Sequence, residues 1–240
     1  MEMEIEIKNL IKKYGDYFTL NVSYLSIKTG ELVGLVGNNG AGKTTLLRLI
    51  LDLISTTQGI VCSDGKPVNE DFDWKRYTGS FLDESFLISF YTPEEFFSFI
   101  AEIYGFSQNC IQELLKPFER LMNGEILGKR KLIKDFSTGN KQKIGIIAAM
   151  MIKPKVLILD EPFNFLDPSS QFQVCQLIQL MNKELGTTVL ISSHNLTSIN
   201  EICSRIILIE KGNLIKDLNH IPGDTANEIQ EYFGSSPKSN

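Results

Sequence analysis

The stretch GNNGAGKTT at residues 37–45 sets three glycines ahead of one lysine and two threonines. Main chain almost bare of side chains, followed by an ammonium and two hydroxyls, suits a chain of phosphate groups. Gly37, Gly40 and Gly42 let backbone N–H groups approach anionic oxygens closely. Lys43 can reach the β- and γ-phosphates, and the Thr44 hydroxyl suits Mg²⁺. A second pair with chemical potential is Asp160-Glu161, at the end of the apolar run VLIL. A carboxylate at a strand end can hold Mg²⁺ directly or through water, and its neighbour can orient or deprotonate an attacking water.

Both features need particular elements to position them. Leu32 to Val36 reads as a strand entering the loop, and KTTLLRLILDL from Lys43 as a helix with Leu46, Leu47, Ile50 and Leu51 at helical spacing. A helix starting at Gly42-Lys43 points its free N–H groups and positive end at the same anion-sized space. The runs KVLILD (155–160) and TTVLISS (187–193) are continuous enough for strands covered on both faces. Residues 2–7 alternate polar with apolar and read as another strand. RIILIEKGNLI reads as a hairpin turning at Gly212, and GSSPKSN as a frayed tail.

Between about Phe81 and Phe136 the periodicity becomes helical. Thr92, Pro93 and Glu95 combine a capping box with proline at the first helical position, so a helix is predicted to start there. Phe96, Phe97, Phe99, Ile100, Ile103 and Tyr104 recur at helical spacing, and the aromatic face they form is expected to pack inside this insertion.

The 240 residues are 42% apolar and 22% charged, an ordinary globular balance that excludes a disordered chain or a fibre. No run approaches the roughly eighteen apolar residues of a membrane span, and MEMEIEIKNL does not read as a signal sequence, so a cytoplasmic or peripheral protein is expected. Cys62, Cys110, Cys175 and Cys203 form no CxxC pair and are expected to be buried thiols. A net charge of -5 without a basic tract gives no footprint for nucleic acid, and none is expected as a partner.

The order of the motifs resembles the nucleotide-binding subunit of ABC transporters. GNNGAGKTT (37–45) is similar to the Walker A loop, FSTGN (136–140) to the signature loop usually written LSGGQ, and VLILDEP (156–162) to Walker B. FNFLD (163–167) resembles the D-loop and ISSHN (191–195) the switch histidine segment. The resemblance implies an α/β P-loop NTPase fold of the ABC ATPase type: a mixed sheet core, an N-terminal antiparallel β region and an inserted α-helical subdomain. It implies a single domain over 1–240, with core 1–80 and 141–215, helical subdomain about 81–140 and a short C-terminal tail 216–240. ATP and Mg²⁺ are the implied cofactors.

Carried over by residue, the resemblance implies that Asn38, Asn39, Gly40, Ala41, Gly42, Lys43, Thr44 and Thr45 wrap the phosphates. Asp160 supports Mg²⁺, Glu161 is the catalytic carboxylate and His194 contacts the γ-phosphate. Ser137 and Gly139 begin a helix predicted over STGNKQKIGIIAAMMIK, and are implied to face the γ-phosphate held by an opposing subunit. Two copies, identical or different, would then sit head to tail around two ATP molecules. Tyr14 is implied to stack on adenine, with Tyr17 and Phe18 close enough to compete for that place.

Three departures from the family pattern stand out. GSFLDES places Asp83, or Glu84 with a shift of one, where the family has a glutamine; an aspartate there can ligate Mg²⁺ but adds charge near the phosphates. Thr138 replaces the first glycine of the signature loop and Asn140 its glutamine. The implied partners are integral membrane permease subunits contacted through the insertion, with Phe86, Phe90 and Tyr91 as candidates for exposed positions. The implied place is the cytoplasmic face of a membrane, driving solute transport with export favoured because the tail leaves no room for the regulatory domain of many sugar-importer ATPases. The alternative is a soluble ABC-type ATPase acting on a macromolecular complex.

Overall fold

The computed structural model describes residues 4–194 and 196–219. The first elements are β1 (Glu4–Tyr14), β2 (Phe18–Lys28), β3 (Leu32–Val36), α1 (Lys43–Ile50), β4 (Gln58–Ser63), β5 (Lys66–Pro67) and β6 (Thr78–Phe81). An entirely helical stretch follows, with α2 (Pro93–Ile103), α3 (Ile111–Leu115), α4 (Glu119–Met122) and several single 3-10 turns. The chain then returns through α5 (Thr138–Met151), β7 (Val156–Asp160), α6 (Pro168–Leu185), β8 (Thr188–Ser193), α7 (Leu196–Ile202), β9 (Arg205–Glu210) and β10 (Asn213–Asn219).

The strands form one mixed sheet in the order β5-β4-β1-β2-β10-β9-β3-β8-β7-β6. β9, β3, β8, β7 and β6 run parallel, whereas β1 pairs antiparallel with both β2 and β4. This is the mixed sheet with an antiparallel N-terminal region and a helical insertion. The strand read over 2–7 is longer than its alternation implied and continues to Tyr14. The hairpin at Gly212 forms as expected, between β9 and β10.

The parallel strands read as unbroken apolar runs because both faces are covered. Along β7, Leu157 and Leu159 face one core while Val156 and Ile158 face the other, as the two-residue side-chain period requires. The first core contains residues of α5, α6, α7 and the insertion; the second contains residues of α1 and the antiparallel strands. α5 meets β6 closely enough that a Cβ at Gly145 would lie 2.1 Å from the Phe81 ring.

Within the insertion, Thr92 caps α2 reciprocally: the Glu95 N–H donates to Thr92 Oγ1 (3.3 Å) and the Thr92 N–H to Glu95 Oε2 (2.7 Å). The aromatic face divides, contrary to expectation. Phe96 and Phe97 are buried, and the Tyr104 hydroxyl donates to Thr78 O, but Phe99 and Ile103 are exposed because α2 packs on one side only. Phe90 is 71% exposed, whereas Phe86, expected to be exposed, is half-buried against both cores. Cys62, Cys175 and Cys203 are buried; Cys110 is exposed, since it closes a 3-10 turn on the rim of the insertion. No helix among the described residues is long and apolar enough to cross a membrane. The segment GSSPKSN lies outside the described residues.

Candidate active site

The carboxyl ends of the parallel strands bring the loop, the paired acids and the histidine together. β3 delivers the phosphate loop, β7 ends on Asp160, and β8 leads through Ser193 to His194. Gly37 lies so near β9 that a Cβ there would be 2.3 Å from Ile209 O, and Gly42 has φ 111, a left-handed turn that starts α1. These glycines are required by geometry.

Lys43 is 6% exposed, and its ammonium donates to Gly37 O (2.7 Å) and Asn38 O (3.3 Å). It also lies 3.2 Å from Glu161 Oε1, an oxygen that has no hydrogen-bond partner of proper geometry. The other carboxylate oxygen, Glu161 Oε2, sits 2.8 Å from His194 Nδ1 and accepts from the His194 N–H at 3.3 Å. Glu161 thus bridges the phosphate-loop lysine and the histidine. Its backbone has φ 47, uncommon for a residue with a side chain, and is held by N–H donation to Ser192 Oγ (3.0 Å) and by Gln142 Nε2 donating to Glu161 O (3.2 Å).

Next to this bridge, the Thr44 hydroxyl donates to Asp160 Oδ2 (2.5 Å) and the Ser192 hydroxyl to Asp160 Oδ1. Burial pushes the Asp160 carboxyl above its ordinary value. The Ser192 and Thr44 hydrogen bonds and Lys43 pull in the opposite direction, and the Glu161 charge adds to the rise. Two hard oxygen donors from separate elements, side by side, fit a Mg²⁺ ion, which would hold Thr44 and Asp160 as ligands directly or through water.

A cleft of about 370 Å³ opens over the loop, lined by Tyr14, Phe18, residues 39–45 and Glu161. Tyr14 is 44% exposed with its ring 6.4 Å from that of Phe18, while Tyr17 projects away, 99% exposed. The turn between β1 and β2 therefore selects Tyr14 and Phe18 as the aromatic wall.

The signature residues lie apart from this cluster. Ser137 is the N-cap of α5, its Oγ accepting from the Asn140 N–H (3.3 Å), and it is exposed. Gly139 abuts the D-loop: a Cβ would come 2.7 Å from Phe165 O. Asp83 is not joined to the Thr44–Asp160 pair. Its carboxylate accepts from the Ser85 N–H (2.8 Å) and from Arg48 of α1 (3.4 Å); burial pushes it upward, but these contacts prevail and hold it below the ordinary 3.8. Glu84 reaches Lys141 of α5 (3.3 Å). Ser192, Gln142 and Arg48 had no distinguishing signal, apart from the position of Ser192 two residues before His194.

The sequence profile described as ABC transporter matches residues 20–164. The bacitracin transport ATP-binding protein BcrA of Enterococcus faecalis is 35% identical over 225 residues, covering 91% of this chain and 70% of that protein. The lantibiotic transport ATP-binding protein SrtF of Streptococcus pyogenes is 31% identical over 235 residues, covering 96% of each. A solved ATP-binding subunit of an ABC transporter superposes with TM-score 0.81 at 26% identity, covering 98% of this chain and 95% of the other. A dimeric ATP-binding cassette in a post-hydrolysis state with ADP and Pi superposes with TM-score 0.77 at 25% identity, covering 90% and 98%.

Proposed function

The chain belongs to the ABC transporter ATPase family, and from that premise we propose that it hydrolyses ATP as one of a head-to-tail pair enclosing two Mg-ATP, driving a solute outward through separate membrane subunits. The observation that carries the reading is the placement of Glu161 between Lys43 and His194, beside the Thr44–Asp160 pair. Relatives named for bacitracin and lantibiotic transport support a cargo of that kind. The chain would sit on the cytoplasmic face, docked through the exposed Phe90 and Tyr91 of the insertion. The division into core 1–80 and 141–215, helical subdomain about 81–140 and tail 216–240 belongs to the same proposal.

In this mechanism Tyr14 and Phe18 receive the adenine, and the N–H groups of residues 38–45 receive the phosphates at the start of α1. Lys43 exchanges its carbonyl partners for phosphate oxygens. Bound Mg²⁺ supplies neutralising charge to the phosphates. Glu161, released from Lys43, accepts a proton from the water whose oxygen bonds to the γ-phosphorus as the bond to ADP breaks, while His194 fixes the carboxylate's orientation. Ser137 and Gly139 of the second copy close the γ-phosphate from the far side. Loss of Pi removes contacts across the pair and opens it.

The test is to recover tagged Glu161→Gln protein from its native membranes with ATP present. A stoichiometric multi-span membrane protein is expected with it. Recovery with ribosomal or DNA-associated proteins, and no membrane protein, contradicts the transporter reading in favour of a soluble ABC-type ATPase.

A further inference from the structure

Asp83 and Glu84 are consecutive acids that reach two different helices. Asp83 lies two residues beyond the end of β6, whose Phe81 pairs with Leu159 of β7, so the insertion begins beside the strand that ends on Asp160. The Asp83 carboxylate meets Arg48 of α1 at 3.4 Å, and the Glu84 carboxylate meets Lys141 of α5 at 3.3 Å. The Ser85 N–H donates to Asp83 (2.8 Å), which makes Asp83 the cap of the 3-10 turn Glu84–Phe86 and fixes how the two acids diverge.

Each of the two cations sits one turn from a group at the start of its helix. Arg48 follows Thr44 by four residues, so both lie on the same face of α1, the helix that starts at the phosphate loop. Lys141 belongs to the first turn of α5, and its backbone N–H donates to Ser137 O (2.9 Å). The adjacent acids therefore span from the helix behind the phosphate loop to the helix behind the signature residues. A second route joins the same two helices: Lys43 meets Glu161, and Gln142 of α5 donates to Glu161 O. Both acid–base pairs are partly solvated, with side chains 43% and 41% exposed in the first and 21% and 63% in the second. Each can bias an equilibrium by only about two- to fivefold.

We propose that Asp83 and Glu84 form a two-armed clasp, with Arg48 and Lys141 as its positioning residues, which ties the phosphate-loop helix to the signature helix within one chain. Asp83 serves in it as an ion-pair partner and not as a metal ligand. In the head-to-tail pair α1 and α5 of one chain face different nucleotides, so the clasp links the two sites through a single chain. The inference rests on the proposed ATPase function.

The experiment is amide hydrogen exchange on the full chain with ADP, which has no γ-phosphate for a second copy to hold, at a dilution where light scattering shows monomers. ADP slows exchange at residues 38–45. Through the clasp it also slows the Asn140 and Lys141 amides, both bonded to Ser137, by about two- to fivefold. Arg48→Gln, Asp83→Asn and Glu84→Gln each abolish the distant slowing and keep the local one. Exchanging the charges of the exposed arm, Glu84→Lys with Lys141→Glu, restores it, which a loss of fold would not. Mn²⁺ affinity of the ADP complex stays within about twofold of wild type in Asp83→Asn. Local slowing with none at α5, or a failure of the exchanged pair to restore it, overturns the clasp and leaves the ATPase reading standing. Slowing at α5 that survives all three single variants overturns it in favour of the Gln142 route. A loss of Mn²⁺ affinity in Asp83→Asn but not in Arg48→Gln makes Asp83 a metal ligand and overturns it as well. No slowing at residues 38–45 removes the ATPase reading, and the clasp with it.

Discussion

At the phosphate loop, polar groups answer one another within a single chain: Lys43 with Glu161, Glu161 with His194, Thr44 and Ser192 with Asp160. At the start of α5 one such contact forms, the Asn140 N–H donating to Ser137 Oγ. Ser137 and Thr138 face solvent, and their helix end offers N–H groups with no acid in its first turn. One region gathers its charged and polar groups against one another; the other presents an anion-receptive helix end to solvent. The difference assigns them different sensitivities. Changes at the first should act on chemistry and on the folding of each copy, and changes at the second should act only when a second copy supplies the nucleotide.

The largest effect belongs to the first region. Glu161→Gln removes the proposed proton acceptor while keeping its shape, so turnover should fall about 10³-fold with ATP binding retained, measured by single-turnover assay and nucleotide titration. Near-normal turnover would remove Glu161 from the chemistry. Next is Gly139→Ala. Its Cβ must push Phe165 O from 2.7 Å, so ATPase activity should drop about tenfold while nucleotide affinity of the monomer stays at the wild-type value. A parallel loss of monomer affinity would erase the distinction between the regions.

The smallest effect concerns stability. Burial raises the Asp160 carboxyl above the ordinary 3.8, so the folded chain holds its proton more readily than the unfolded one. The stability linked to that proton is fully present below pH about 3.8 and is lost as pH rises through the raised value. Asp160→Asn keeps a neutral group there and should raise the metal-free melting temperature near neutral pH by about 2–4 °C for each kcal/mol relieved, while lowering Mg²⁺-dependent turnover. A lower melting temperature would show that the hydroxyl contacts of Thr44 and Ser192 outweigh burial.

What the sequence made legible was local. The phosphate loop with its strand and helix, the acids at the end of β7 and the cap at Thr92 are each written in a few consecutive residues, and the structure places them at the strand ends and helix starts read from the sequence. Contacts between distant segments were not legible. Gln142 donates to Glu161 O across 19 positions and Arg48 pairs with Asp83 across 35, and nothing in either neighbourhood marks the partner. The Arg48 contact matters most, because it ties Asp83 to α1 and not to the Thr44–Asp160 pair. The split face of α2 has the same origin: helical period placed Phe97 and Ile103 on one broad face, but only the packing of α2 decided which of them meets the core.

The most direct test of a site shared between two copies uses two crippled proteins. Glu161→Gln spoils the hydrolytic half and spares the α5 end; a Ser137→Ala, Gly139→Ala double variant does the reverse. Mixed in equal amounts, they form pairs in which one of the two sites combines both intact halves, so ATPase activity should recover to roughly one quarter of wild type. Activity of the mixture no greater than the average of the two separate proteins would contradict the account.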